Sequence, residues 1–73
     1  MEIDWKREVK GILKAEMARK GITQDDLVEK LNEIGVEETK AGIANKVSRG
    51  TFSAIFLLQC LKALGCKELR IDV

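Results

Sequence analysis

The chain has 73 residues, which is enough for one domain but leaves no room for a second hydrophobic core. Its 45% hydrophobic and 34% charged residues exclude intrinsic disorder, and the absence of proline beside many Leu, Ala, Glu and Lys residues favours an all-α protein. Thirteen Lys and Arg against twelve Asp and Glu give a net charge of +1, which excludes binding to nucleic acid through bulk basicity alone, so a phosphate-binding surface would require charges sorted onto one face.

Membrane, disulfide-rich and metal-dependent classes are not expected either. No apolar run approaches the roughly 18 residues of a membrane span and no signal-peptide core follows Met1, so we expect a cytoplasmic protein. Cys60 and Cys66 are too few for a disulfide scaffold, and we expect two free thiols, with Cys60 in the core. Because histidine is missing, we expect no metal site, no other cofactor and no catalytic activity.

The first predicted helix covers residues 4–20. Asp4 is the expected N-cap and Gly21 the left-handed cap that ends the helix. A close approach of another helix would explain Gly11 in its interior, where glycine costs about 1 kcal/mol relative to alanine. Apolar residues recur at helical spacing and form one stripe: Trp5, Val9, Ile12, Leu13 and Met17.

The second predicted helix covers residues 23–34 and has the clearest local start signal. Thr23 is the expected N-cap, and Asp26 three residues later completes a capping box with Asp in place of the usual Glu. Gly35 stops the helix. Its apolar stripe consists of Leu27, Val28, Leu31 and Ile34.

The third and fourth predicted helices cover residues 39–49 and 53–64. Thr39 and Ser53 are the expected N-caps. The third helix should face inward with Ile43, Ala44 and Val47. The fourth is the most apolar element, which predicts a central core helix and a dimer surface, through Ile55, Leu57, Leu58, Leu61 and Leu64.

The last segment, residues 68–73, alternates apolar and polar residues with the period of a half-buried strand. A lone strand requires a partner. The N-terminal segment and the same strand of a second chain are both open as partners, and the second would give a homodimer.

The polar side of the third predicted helix is the main candidate for a functional surface. Asn45 has the donor and acceptor pair that reads an adenine edge, and Arg49 or Lys46 can read guanine or hold a phosphate. Ala41 suits contact with a thymine methyl group. Gly42 allows the helix backbone to approach DNA closely.

The start of the second helix is a further candidate, because Gln24 and the backbone N–H groups there can bind a phosphate. Against this, negative charge lies at both helix starts and would repel an anion: Asp25 and Asp26 at the second helix, Glu37 and Glu38 at the third. The basic residues of the first helix are spread over several faces, which is typical of a solvated surface. The predicted DNA-binding set is Gln24, Lys40, Ala41, Gly42, Asn45, Lys46 and Arg49.

Three segments also carry a family resemblance: LKAEMARKGITQDDLVEKL, GIANKVSRG and FLLQCLKALG. Together they resemble the lambda-repressor-like helix-turn-helix domains of the Cro/C1-type regulators. The first is similar to that family's opening G-[LI]-[ST]-Q-x-x-L-A-x-x-L, and the second to its recognition helix ending in R-G. More closely, the whole chain resembles a family of small bacterial proteins in that superfamily, from which no function carries over. The resemblance covers about residues 5 to 70.

The resemblance implies a compact all-α domain of four to five helices, of the lambda-repressor-like helix-turn-helix type. The alternation in the last segment adds a short extended segment at the C-terminus. It implies a small transcriptional regulator that places its third helix in the major groove of double-stranded DNA. A homodimer through the fourth helix or the terminal strand would read half-sites about 34 Å apart. The alternative is a protein-interaction module, antitoxin-like or an assembly subunit, on the same scaffold without base readout.

Overall fold

The computed structural model describes residues 2–69 and 71, and it is all-helical. A Cα radius of gyration of 11.8 Å is close to the about 11 Å of a compact chain of this length. The described residues contain no strand, and positions 70, 72 and 73 of the predicted terminal strand lie outside them. The four helices are α1 Trp5–Lys20, α2 Gln24–Glu33, α3 Lys40–Arg49 and α4 Ala54–Ala63.

Each helix begins directly after the side chain predicted to cap it. Asp4, Thr39 and Ser53 each accept a hydrogen bond from the backbone N–H three residues later. Thr23 and Asp26 form the predicted capping box, with bonds of 3.2 and 3.0 Å in the two directions. These caps satisfy N–H groups that have no partner within the helix, and the sequence signals for all four helix starts are confirmed.

One hydrophobic cluster joins the four helices. Helix α2 packs against α3 and α4, and α1 packs against the same two helices. The inward residues predicted for α2 and α3 are confirmed where they recur four positions apart, since Leu27, Leu31, Ile43 and Val47 are at most 1% exposed. Burial of each such side chain contributes about 1.5–3 kcal/mol. The complete cluster is Leu13, Met17, Leu27, Leu31, Ile43, Val47, Phe56, Cys60 and Leu64.

Several residues assigned to the core are instead at the surface. Trp5 is 65% exposed: it is the first residue of α1, and its side chain is not part of the cluster that joins the four helices. Ala44 is exposed because the buried face of α3 is only as wide as the row containing Ile43 and Val47. These two predictions are wrong.

Only one side of helix α4 belongs to the core, so the prediction of a central core helix is confirmed for that side alone. Phe56, Cys60 and Leu61 are buried, whereas Ile55 and Leu58 are 70% and 67% exposed.

Among the described residues, no helix combines the length and the apolar character needed to cross a membrane.

The predicted close approach at Gly11 is also wrong. A Cβ placed there would meet no heavy atom within 4 Å. The close approach lies at Gly50 instead, where a Cβ would lie 2.8 Å from the backbone oxygen of Lys6. Gly50 ends α3 with a φ of 66°, so both the left-handed backbone and the contact with α1 require glycine.

Candidate nucleic-acid interface

Helix α3 carries six of the seven residues predicted to bind DNA. Lys40, Ala41, Asn45 and Arg49 are exposed, and Gly42 is half-buried. The helix contains no acidic residue. Its outer face therefore combines small side chains with cations and one amide, and its inner face is anchored in the core.

The seventh predicted residue, Gln24, is the first residue of α2 and is half-buried. Lys40 Nζ lies 3.3 Å from Asp25 Oδ1, so the first turns of α2 and α3 lie side by side. The fold thus brings Gln24 to the same end of the surface as Lys40. Both partners of the ion pair are well exposed, so the pair contributes little stability.

A carboxylate from the preceding loop closes the start of α3. Glu38 Oε1 accepts from the backbone N–H of Thr39 at 3.2 Å, and Glu38 Oε2 accepts from Lys46 Nζ at 2.7 Å. The Glu38 side chain is 9% exposed, and its backbone N–H donates to Asn32 Oδ1 in α2 at 3.2 Å. Helix starts favour negative charge, and this one is supplied by the protein where an external anion would otherwise bind.

Gly42 makes room for that carboxylate. A Cβ at this position would lie 2.5 Å from Glu38 Oε1 and 3.0 Å from Thr39 Oγ1. Gly42 therefore has an intramolecular reason to be glycine, in addition to the approach to DNA for which it was predicted.

Lys46 is held between α3 and α4. Besides its ion pair with Glu38, its Nζ lies 4.7 Å from the centroid of the Phe56 ring, a cation–π contact. Phe56 in turn packs edge-on against Phe52, with centroids 5.4 Å apart. The side chain of Lys46 remains 46% exposed, yet its ammonium group is already engaged by the protein.

The other end of α3 lies against α1. Lys10 Nζ donates to the backbone oxygen of Ser48 at 3.1 Å and so satisfies a carbonyl in the last turn of α3. The Lys10 stem also borders Gly50, where a Cβ would lie 3.0 Å from Lys10 Cγ. Arg49 lies between these two contacted residues in the chain and is exposed.

The cations around α3 thus fall into two groups. Lys40 and Lys46, at its start and middle, are paired with Asp25 and Glu38. Among the described residues, no ion pair involves Arg49 at the end of α3, or Lys6 and Lys10 of α1. Positive charge is therefore available mainly where α3 ends.

Both cysteines are free thiols, as predicted, and neither is activated. Burial, and then the charge of Glu38, raise the pKa of the Cys60 thiol to about 12. Burial also raises the pKa of Cys66, together with a hydrogen bond of 3.2 Å from its Sγ to Glu16 Oε2. Glu16 is 7% exposed and forms an ion pair with Arg19 at 2.8 Å. The thiolate is the reactive form, so these sites do not favour nucleophilic chemistry.

The sequence placed the negative charge of Glu38 at the start of α3, but it did not predict the ion pair of Glu38 with Lys46 or the contact of Lys10 with α3. Glu38 and Lys46 are eight residues apart and lie on different elements, so no helical spacing rule predicts the pair. Lys10 and Ser48 are 38 positions apart. The nearest available signal was Gly42, a helix-weakening residue four positions after Glu38, which indicates that something approaches the first turn of α3.

In the described part of the chain, no cluster of three or more Cys, Asp or Glu side chains is arranged to hold a metal ion.

Residues 5–69 match a protein family described as a domain of unknown function, DUF6471. No curated protein and no solved structure is significantly similar to the chain.

Proposed function

The chain belongs to the DUF6471 domain family, and from the geometry of its helices we propose that it binds double-stranded DNA by placing α3 in the major groove. We propose further that its four helices form a lambda-repressor-like helix-turn-helix domain, in which α2 and α3 are the paired helices, and that it acts as a small transcriptional regulator.

The outer face of α3 is the observation that carries the proposal. A major groove about 12 Å wide admits an α-helix whose outward side chains are small or can reach base edges. Ala41 and Ala44 are exposed and small, so the helix axis can approach a groove floor. Asn45 and Arg49 are exposed on the same helix, and α3 itself carries no acidic residue that would repel a phosphate.

The proposed roles of the seven residues are not equal. Asn45 reads an adenine edge, and Arg49 reads guanine or the adjacent phosphate. Lys46, which is held by Glu38 and Phe56, positions α3 and does not reach DNA. Gln24 contacts a phosphate at the start of α2, where Lys40 partly neutralises the charge of Asp25.

Binding to duplex DNA at low salt tests the proposal directly. With a fluorescent duplex of random sequence, we expect measurable affinity that falls as salt rises. Once a preferred sequence has been selected, Asn45→Ala should relax the preference at one base pair by about 1–3 kcal/mol. The absence of any affinity for duplex DNA at low salt would remove this function.

A second candidate function, a protein-interaction module, is favoured by the apolar surface of α4. Ile55 and Leu58 are three residues apart and are both about two-thirds exposed, so they lie on one side of the helix. Contiguous exposed apolar residues are typical of protein contacts. A second copy of the chain bound there would give the homodimer that paired half-sites require.

Light scattering distinguishes self-association through α4 from the binding of a different protein at the same surface. A dimer at high concentration that becomes a monomer in the variant Leu58→Glu would support self-association. A monomeric mass at every concentration would exclude the homodimer and would leave α4 available to a different protein.

A further inference from the structure

We infer that the corner between α1 and the end of α3, formed by Lys6, Lys10 and Arg49, is a contact site for the phosphate backbone of duplex DNA. The inference rests on the proposed DNA-binding function and names a phosphate-binding surface that lies away from the starts of α2 and α3. We refer to these three residues as the basic corner.

Two contacts between α1 and the backbone at the end of α3 bring the three residues of the basic corner near one another. The close approach of Gly50 to the backbone oxygen of Lys6 fixes the first turn of α1 against the end of α3. The hydrogen bond from Lys10 Nζ to the Ser48 oxygen makes a second link between the same elements, one turn further along α1. Lys6 and Lys10 are four residues apart and therefore lie on one face of α1. Arg49 is flanked in the chain by both contacted residues of α3.

The cations of the basic corner differ from Lys40 and Lys46 on the rest of the α3 surface in forming no ion pair with a described residue. In the part of the chain that the structure describes, the ion-paired cations are Arg19, Lys40 and Lys46, and none of them belongs to the corner. Lys6 and Arg49 are exposed, and Lys10 is half-buried with one of its three ammonium donors used by Ser48. Each cation can therefore donate to a phosphate oxygen without first breaking an ion pair with any residue that the structure describes.

The position of the corner fits a phosphodiester backbone. Arg49 ends the face of α3 that we place in the major groove, so the strand bordering that groove would pass the α1 lysines next. The starts of α2 and α3 are less suited to the same strand, because Asp25 and the carboxylate of Glu38 lie there. Phosphate contacts fix the register of a protein on DNA and carry no sequence information, so cations with free donors are sufficient for them.

The test compares two double variants that change the net charge equally. Lys6→Gln with Lys10→Gln removes two cations from the basic corner. Lys20→Gln with Lys62→Gln removes two exposed cations elsewhere, at the end of α1 and on α4. Affinity for a random-sequence duplex is measured by fluorescence anisotropy over a series of salt concentrations. Circular dichroism checks that each variant is folded, and Lys6→Arg with Lys10→Arg retains the charge at the corner.

We expect the corner variant to lose roughly tenfold or more in affinity at about 50 mM salt and its salt slope to fall by about 0.9 for each lysine. The control and the arginine variant should keep the slope of the natural protein. Equal losses in the corner and control variants, or unchanged slopes in both, would overturn the basic corner while DNA binding stands. No binding by the natural protein would overturn the proposed function and the corner together.

Discussion

The cations at the two ends of α3 differ in whether a carboxylate accompanies them. At the start, Lys40 is paired with Asp25, and Glu38 fills the first turn and holds Lys46. At the end, Arg49 and the neighbouring α1 residue Lys10 form no ion pair with any described carboxylate. A net charge of +1 conceals this separation. Pairing within the fold, more than the number of cations, decides where positive charge remains available.

The largest expected effect concerns the contact between α1 and the end of α3. Gly50→Ala forces a side chain into a left-handed backbone and against the oxygen of Lys6, so we expect the free energy of unfolding to fall by about 2–3 kcal/mol. Gly21→Ala is the matched control, because Gly21 has the same φ of 66° but no heavy atom within 4 Å of the added Cβ. It should cost only about 1 kcal/mol. Urea denaturation measures both, and equal losses would contradict the close approach.

The second prediction concerns the closed start of α3. Glu38→Gln removes the charge that holds Lys46, and we expect it to lower stability by about 1 kcal/mol, a modest value because Lys46 is 46% exposed. Affinity for duplex DNA should rise severalfold, since a repulsive charge is lost and a cation is released. Glu37→Gln makes the same change in net charge at an exposed neighbour without an ion pair in the described structure. If both variants gain equally in an anisotropy titration, net charge alone explains the effect.

A third, smaller effect separates two helical glycines. Gly11→Ala should raise the free energy of unfolding by about 0.5–1 kcal/mol, because the added Cβ meets nothing and alanine is the better helix former. Gly42→Ala should lack this gain, because its Cβ would displace the Glu38 carboxylate. Thermal denaturation of the two variants measures the difference. The same stabilisation at both positions would show that Glu38 moves away without cost.

The smallest effect is a dependence of stability on pH from the capping box. Hydrogen bonds from Thr23, with its backbone first, lower the pKa of Asp26 below its ordinary value of 3.8. The charged carboxylate therefore stabilises the fold above that ordinary value, and this contribution is lost as the pH falls through the lowered pKa. Asp26→Asn should flatten the loss of stability that the natural protein shows as the pH falls below that ordinary value. An unchanged acid profile would contradict the role of Asp26.

Helix starts and the centre of the core were predictable because both depend on residues close in the chain. A capping side chain bonds an N–H group three residues later, so Thr23 and Ser53 could be identified from their neighbours. Leu27 and Leu31, or Ile43 and Val47, recur four positions apart, which places each pair on one face of a helix. Those pairs are almost completely buried, as expected.

Exposure at the edges of the apolar faces was not predictable in the same way. Trp5 and Ile55 have the spacing of core residues, yet both are largely exposed. Helical periodicity gives the direction of a side chain from its own axis but not the length or position of the helix opposite. The same limit explains why Gly11 was expected to mark a close approach that lies at Gly50.

The candidate site shows the same division. The residue sequence determined that α3 would carry small residues, Asn45 and three cations, because composition and helical periodicity are local properties. Only the tertiary structure decided which cations remain available. Glu38 reaches Lys46 across the first turns of α3, and Lys10 reaches Ser48 from a different helix. Ion pairs and close approaches depend on distances between elements, and those distances are set when the helices pack around their shared core.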